Sequence, residues 1–354
     1  MERLGRGWHG AQELTVTLDA RTPDDPATVR ALAYPDLVGV PEVGDEVLLN
    51  TNALALGLGT GGYALVVALP KRLPEDAPVR GHIVKARYSP LQTIRLAADE
   101  EGSPHRDALA AATDLGGMPV VVADLHSALP AILAGIHADA PDARVAYVLT
   151  DGGALAAGFS RTLDALRDRL AGTVTAGQSW GGDLEAVNVH GGLLAARHAL
   201  GADITIVSQG PGNLGTGTVW GFSGVAAGEA VNAAAVLGGR PVGALRISDA
   251  DPRPRHRGVS HHSLTAYGKV ALAAADLVVP TGLPADLAAQ VEAALEPLTA
   301  RHHVVTVETA GLDAALRAVP VKLSTMGRDL DGDHAYFLAC AAAGRHAAAL
   351  ATAA

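Results

Sequence analysis

Residues 202–218, ADITIVSQGPGNLGTGT, decide how the chain reads. Ile204 to Val207 is an apolar, β-branched run, and Ser208 and Gln209 lead from it into a glycine-rich turn. A short apolar run bounded by glycine reads as a strand buried on both faces, as in parallel sheets. The pattern recurs at MPVVVAD (118–124), ARVAYVL (143–149), GTVTAGQ (172–178), RPVGALRIS (240–248), ADLVVP (275–280) and HHVVTVE (302–308). Stretches of helical character lie between, among them residues 154–170 and 184–200. Strands alternating with helix-length connections predict a three-layer α/β fold, a mostly parallel sheet with helices on both faces. The Ala-rich tail, residues 335–354, is expected to close the fold as a helix.

The first third reads differently. ELTVTLD alternates, EVLLN follows the turn at Gly44, and YALVVALP is a short β-forming run. Such strands predict a small β-barrel-like or sandwich unit. With residues 99–106 as a polar linker, the expected organisation is a β-rich domain over 1–95 and an α/β domain over 105–354 that carries the site.

Composition narrows the function classes. Apolar residues make up 49% of the 354, enough for a sizeable core, but aromatics are only 3%, so Ala, Val, Leu and Ile must build it. A formal charge of −10 argues against nucleic-acid binding, because no basic excess exists to neutralise phosphates. A single cysteine, Cys340, leaves no disulfide framework and suits a reducing cytoplasm; its Ala-rich setting reads as helix packing. The first residues lack the apolar run of a signal peptide, and the uncharged stretches 50–70 and 209–228 are too glycine-rich for spanning helices. A cytoplasmic protein with no membrane partner is expected, and a homo-oligomer is left open.

Ligands of open α/β sheets bind beyond the carboxyl ends of the strands, near a switch in strand order. The turns after the predicted strands hold Asp124 and His126, then Asp151, then Asp183, then Gly210, Gly212, Gly215, Thr216 and Gly217, then Asp249 and the segment Arg253 to His262. Gly210 to Gly215 spells GxGxxG after a strand and leads toward a helix, a context in which backbone N–H groups can approach a phosphate. Pro211 removes one donor, so a plain tight turn is the competing reading. A second GxGxxG, residues 57–62, leads into another β run and reads as a turn. Arg255 and Arg257 can grip a carboxylate or phosphate. His256, His261 and His262 can move protons or ligate metal. Asp124, His126, Asp151, His261 and His262 are the candidate catalytic groups, and Asp124, Asp183, Asp249 and His256 the candidate ligands of a divalent metal such as Zn, Mn or Fe. The bland alternative for the His–Arg segment is a solvated basic loop with Ser260 capping the next helix. A serine hydrolase is not the expected reading, and Asp329 to Asp333 reads as the N-cap of the last helix rather than a Ca²⁺ loop.

LNTNALALGLGTGGYALVV, GHIVKARYSPLQ, VVVADLHSALP, YVLTDGGAL, GGDLEAVNVHGGLLAAR, GPGNLGTGT, DPRPRHRGVSHHSLTA and STMGRD together resemble a bacterial family known as domain of unknown function 3866. The resemblance covers nearly the whole chain. It implies one shared architecture and brings no activity, substrate or functional residue. The residues lead to the expectation of an enzyme that binds an anionic, phosphorylated or nucleotide-like small molecule for hydrolysis or group transfer, with a divalent metal as an optional aid. A non-catalytic metabolite sensor or assembly factor, and a nicotinamide-dependent oxidoreductase using the Gly210 loop, are the alternatives.

Overall fold

The computed structural model describes residues 1–19, 27–58, 60–75 and 81–353. The N-terminal part contains β1 (Arg3–Trp8), β2 (Ala11–Thr17), β3 (Thr28–Ala33), a short helix α1 (Pro35–Val38), β4 (Leu48–Asn50), α2 (Asn52–Ala55) and β5 (Ala64–Ala68). The strands form one sheet in the order β1-β2-β3-β5-β4. Alternation sorts its side chains: Leu14, Val16, Val29, Ala31 and Val66 fill one small core, while Ala11, Leu32 and Tyr63 face the other way and meet Phe159. The barrel expected from the sequence takes the form, among the described residues, of an open sheet, since β1 and β4 stand at opposite ends without pairing. The β3–β5 pair is parallel, so a crossover interrupts the simple meander that an up-and-down barrel would need. Gly57, Gly61 and Gly62 of the second GxGxxG take positive φ before β5, and Gly59 lies outside the described residues.

A hairpin, β6 (Ile83–Lys85) and β7 (Thr93–Arg95), and α3 (Arg106–Ala111) lead to the larger part. There the chain runs β8 (Pro119–Val122), α4 (Leu129–Asp139), β9 (Val145–Thr150), α5 (Arg161–Leu166), β10 (Gly172–Thr175), β11 (Leu184–Glu185), α6 (Val189–Leu194), β12 (Ile204–Gln209), α7 (Ala226–Val236) and β13 (Arg240–Ala244). A two-stranded ribbon, β14 (Ile247–Ser248) and β15 (Gly258–Val259), precedes α8 (His261–Thr265), β16 (Asp276–Pro280), α9 (Ala285–Leu295), β17 (His303–Val307), α10 (Leu312–Arg317) and α11 (His334–Thr352). Eight strands form one parallel sheet in the order β11-β10-β9-β12-β8-β13-β16-β17. Its inner strands are buried on both sides: Val121, Tyr147 and Ile206 point into one core with α4 and α11, and Val120, Val148 and Val207 into the other with α7 and α9. No described helix is long and apolar enough to cross a membrane.

Two expected helices are shorter than their sequence suggests. Helix in 154–170 is limited to α5 and flanking 3₁₀ turns, capped by Ser160, whose Oγ accepts the Leu163 N–H. Residues 184–185 of the second stretch join the sheet as β11, and helix starts only after Asn188, which caps it. The run 240–248 is also not one strand: β13 ends at Ala244, and Ile247–Ser248 turns away to pair with β15. That departure delivers the His–Arg segment to the sheet's carboxyl edge. The strand order switches where β12 inserts between β8 and β9, so the turns after these three strands border one crevice.

Candidate functional site

Ser260 organises the His-rich segment. As the N-cap of α8, its Oγ accepts the His262 N–H at 3.2 Å, and it lies 2.7 Å from His256 Nδ1. His256 closes a 3₁₀ turn begun by Pro254, whose fixed φ suits the first position of such a turn. Cap and turn bring three imidazoles together, with ring centroids 4.9 Å apart for His256 and His261, 4.9 Å for His256 and His262, and 4.4 Å for His261 and His262. One nitrogen from each lies within 4.8 Å of the others. Phe222 stacks on His262 at 3.8 Å with parallel rings and fixes its plane.

Asp124, just past the end of β8, faces this triplet: its Oδ2 is 3.7 Å from His262 Nδ1. Gly224 makes the approach possible, because a Cβ there would lie 3.0 Å from both Cβ and O of Asp124. Asn213 Nδ2 is 3.5 Å from the same His262 nitrogen, while its Oδ1 accepts from Gln209 Nε2 at 3.0 Å, Ser223 Oγ at 2.8 Å and Gly224 N at 3.1 Å. Two polar atoms of the cluster, Asp124 Oδ2 and His261 Nε2, are buried without a hydrogen-bond partner. Each such group costs about 1–3 kcal/mol in a folded interior, a cost that packing alone does not explain. Burial, with Arg246 and Arg253 nearby, pushes His256 down to about 3; burial, with His262 and Arg255, pushes His261 down to about 4. Both are therefore neutral at pH 7, the form that ligates metal.

Behind His256 lies an ionic network that the sequence reading missed. Buried Asp251 accepts from Arg246 Nη2 at 3.1 Å, from Arg253 Nη2 at 2.8 Å and from Arg328 Nη2 at 3.1 Å. Arg328 also holds Asp333 at 2.9 Å, and Asp333 takes the Ser248 hydroxyl at 2.8 Å. Asp333 does stand at the N-cap of α11, yet its carboxylate serves this network instead of the helix N–H groups. The available signal was the Asp-Pro-Arg order, since Asp251 Oδ1 accepts the Arg253 N–H at 3.0 Å in an Asx turn.

The other expected site residues fall as follows. Asp249, two residues from Asp251, is exposed and lies outside the cluster. Asp183 accepts from Arg167 at 2.8 Å and from Thr173 N at 2.9 Å beside the edge strand β11, and so is committed elsewhere. Asp151 is exposed and stitches two loops by accepting the Gln178 N–H at 2.8 Å. His126 is buried with Nδ1 2.9 Å from Tyr147 OH and Nε2 2.7 Å from Ser160 Oγ, which engages both ring nitrogens in holding the turn. Gly210 packs against the backbone of the Gly153–Ala154 turn, and Gly212, Gly215, Thr216 and Gly217 belong to an exposed loop that folds back on itself through a Gly215–Phe222 bridge. Helix α7 begins only at Ala226, so the glycine loop does not open onto a helix N-terminus as its motif suggested; Asn213, by accepting from Ser223 and Gly224, bends the chain back first. Arg255 and Arg257 are exposed, and Arg255 Nη2 comes within 3.9 Å of a Cβ built on Gly217, so loop and arginine are neighbours.

Beside the cluster opens a cleft of ≈ 660 Å³ between the N-terminal sheet and the carboxyl edge of the large sheet. Leu125 to Ser127 and Pro211 to Asn213 line one side, and Arg30, Tyr63 and Arg161 the other. Asn213 belongs both to this lining and to the surroundings of His262.

Comparison with the curated proteins and with the solved structures gives no match. A family model described as "Protein of unknown function (DUF3866)" matches residues 30–344, and the chain belongs to that family.

Proposed function

We propose that the chain is an enzyme that carries out hydrolysis or group transfer on an anionic small molecule, using a divalent metal ion held by His256, His261, His262 and Asp124. The observation that carries this reading is the convergence of three imidazole nitrogens within 4.8 Å, with Asp124 Oδ2, which makes no hydrogen bond, 3.7 Å from His262 Nδ1. Imidazole and carboxylate donors suit Zn, Mn or Fe, and a neutral imidazole whose other nitrogen is hydrogen-bonded is the usual form of a metal-binding histidine. Ser260 supplies that second bond to His256. A divalent ion there would supply positive charge to stabilise negative charge developing on an acyl or phosphoryl oxygen. The chain's own part is to hold the donors still: Phe222 fixes the His262 plane, Asn213 buttresses its ring nitrogen, and the Asp251 network anchors the turn that ends in His256.

Elemental analysis after incubation with Zn²⁺, Mn²⁺ or Fe²⁺ and gel filtration tests this. About one ion per chain is expected for the wild type, with His261→Ala and Asp124→Asn losing it while keeping the wild-type circular dichroism. Wild-type protein that retains no ion from any of the three sinks the metal reading.

A further inference from the structure

The side of the cleft remote from the histidines has an unusual charge balance. Arg30, on β3, and Arg161, on α5, meet there from the two parts of the chain around Glu13 and Tyr63. Arg30 Nη2 lies 2.9 Å from Glu13 Oε1 and 2.6 Å from Tyr63 OH, and Arg161 Nη2 touches the same two oxygens. Only one nitrogen of each guanidinium is spent on these contacts. The side chains stay 55% and 44% exposed, and both guanidiniums lie over the Tyr63 ring, which holds their planes. Two cations against one carboxylate leave a local excess of one positive charge, on a molecule whose formal charge is −10. Among the described residues that line the cleft, the facing wall adds no counter-charge; Leu125, His126, Ser127 and Pro211 to Asn213 are part of it.

We infer that this pair of arginines captures the carboxylate or phosphate head of an organic anion lying in the cleft, with its far end directed past Asn213 toward the histidine cluster. Guanidinium forks match both kinds of head group, and the Tyr63 ring beneath them holds the two forks in place. The cleft volume of ≈ 660 Å³ accommodates a metabolite-sized molecule. The N-terminal sheet then contributes directly to substrate recognition, through Arg30 and Tyr63. The direction assigned to the far end rests on the metal-assisted reading above; capture of the head group does not.

The test is calorimetric titration of the EDTA-treated full chain with benzoate, phenyl phosphate and neutral benzyl alcohol. At least one anion should bind and the alcohol should not, and Arg30→Gln or Arg161→Gln should each weaken that binding about tenfold, the loss of one charge-assisted hydrogen bond. Which anion binds distinguishes a carboxylate head from a phosphate. Should Arg161→Gln fail to fold for want of its stacking on Trp8, Arg30→Gln carries the test alone. No binding of either anion, equal binding of the alcohol, or affinity unchanged in Arg30→Gln overturns the inference. A chain that captures the anion yet retains no metal would sink the proposed activity and leave this site standing, and the reverse pair of results would remove only this site.

Discussion

Asp251 shows how much one carboxylate can decide. Its side chain is fully buried, and the Arg253 guanidinium, with Arg246 beside it, holds it well below the usual carboxylate range. A carboxylate depressed in this way contributes stability above its unfolded pKa, about 4, and loses that contribution as pH falls through the folded value. Removing one partner of a buried ionic network leaves uncompensated charge, which costs about 3–5 kcal/mol. Asp251→Asn should therefore lower unfolding stability by about that much at pH 7, in urea or thermal melts. The gap to wild type should narrow as pH falls below about 4, where the carboxylate of the unfolded chain takes up a proton and the native one still does not. A deficit that stays constant from pH 7 down to 3 would show that the charge of Asp251 is not what matters. His256, His261, His262 and Asp124 were all named as candidates, and the fold brings them together. Asp249 was chosen over Asp251 because spacing gives no information about burial, and two residues along a turn is enough to exchange inside for outside.

Among the elements, the pairing of α4 with α11 depends on small residues. A Cβ on Gly344 would sit 2.0 Å from Ile132 O, and one on Gly135 would sit 1.9 Å from Ala341 O, so the backbones touch. Alanine is preferred over glycine in a helix interior by about 1 kcal/mol, whereas overpacking against backbone that cannot turn aside costs about 1–3 kcal/mol or more. Steric conflict should win. Gly344→Ala is expected to lower the midpoint of thermal unfolding, and a rise would mean that the helices separate without penalty. The Ala-rich tail was legible as a helix, and its apolar composition as packing material. Its partner was not, because an alanine-lined stripe is compatible with any helix that offers a glycine at the matching height. Lengths were also read too generously at 154–170 and 184–200, where caps at Ser160 and Asn188 start the helices later than hydropathy alone implies.

For the whole molecule, the contact between the N-terminal sheet and the large sheet sets the cleft. Trp8 Nε1 donates to Gly158 O at 2.6 Å, and Gly10 approaches Gly158 so closely that a Cβ on the latter would lie 2.9 Å from its backbone. Trp8→Phe removes that donor and leaves a buried carbonyl less well satisfied. A cost of about 1–2 kcal/mol is expected at this junction, read as faster hydrogen exchange in β1 and β2 with the strands of the large sheet unchanged. Equal acceleration in both sheets would instead show that the two parts unfold as one.

The sequence by itself determined the parallel α/β sheet, because strands buried on both faces leave uninterrupted apolar runs that survive any arrangement of the chain. All seven runs quoted at the outset contain strands of that sheet. It also put small or titratable residues after each run, and hence at the carboxyl edge of the sheet. Only the tertiary structure decided which of those residues meet. The order of strands across a sheet depends on crossovers and long-range packing, and these place β12 between β8 and β9 and turn residues 247–259 out of the sheet. Those two placements bring Asp124 to the three histidines and set Asp151 and Asp183 apart from them.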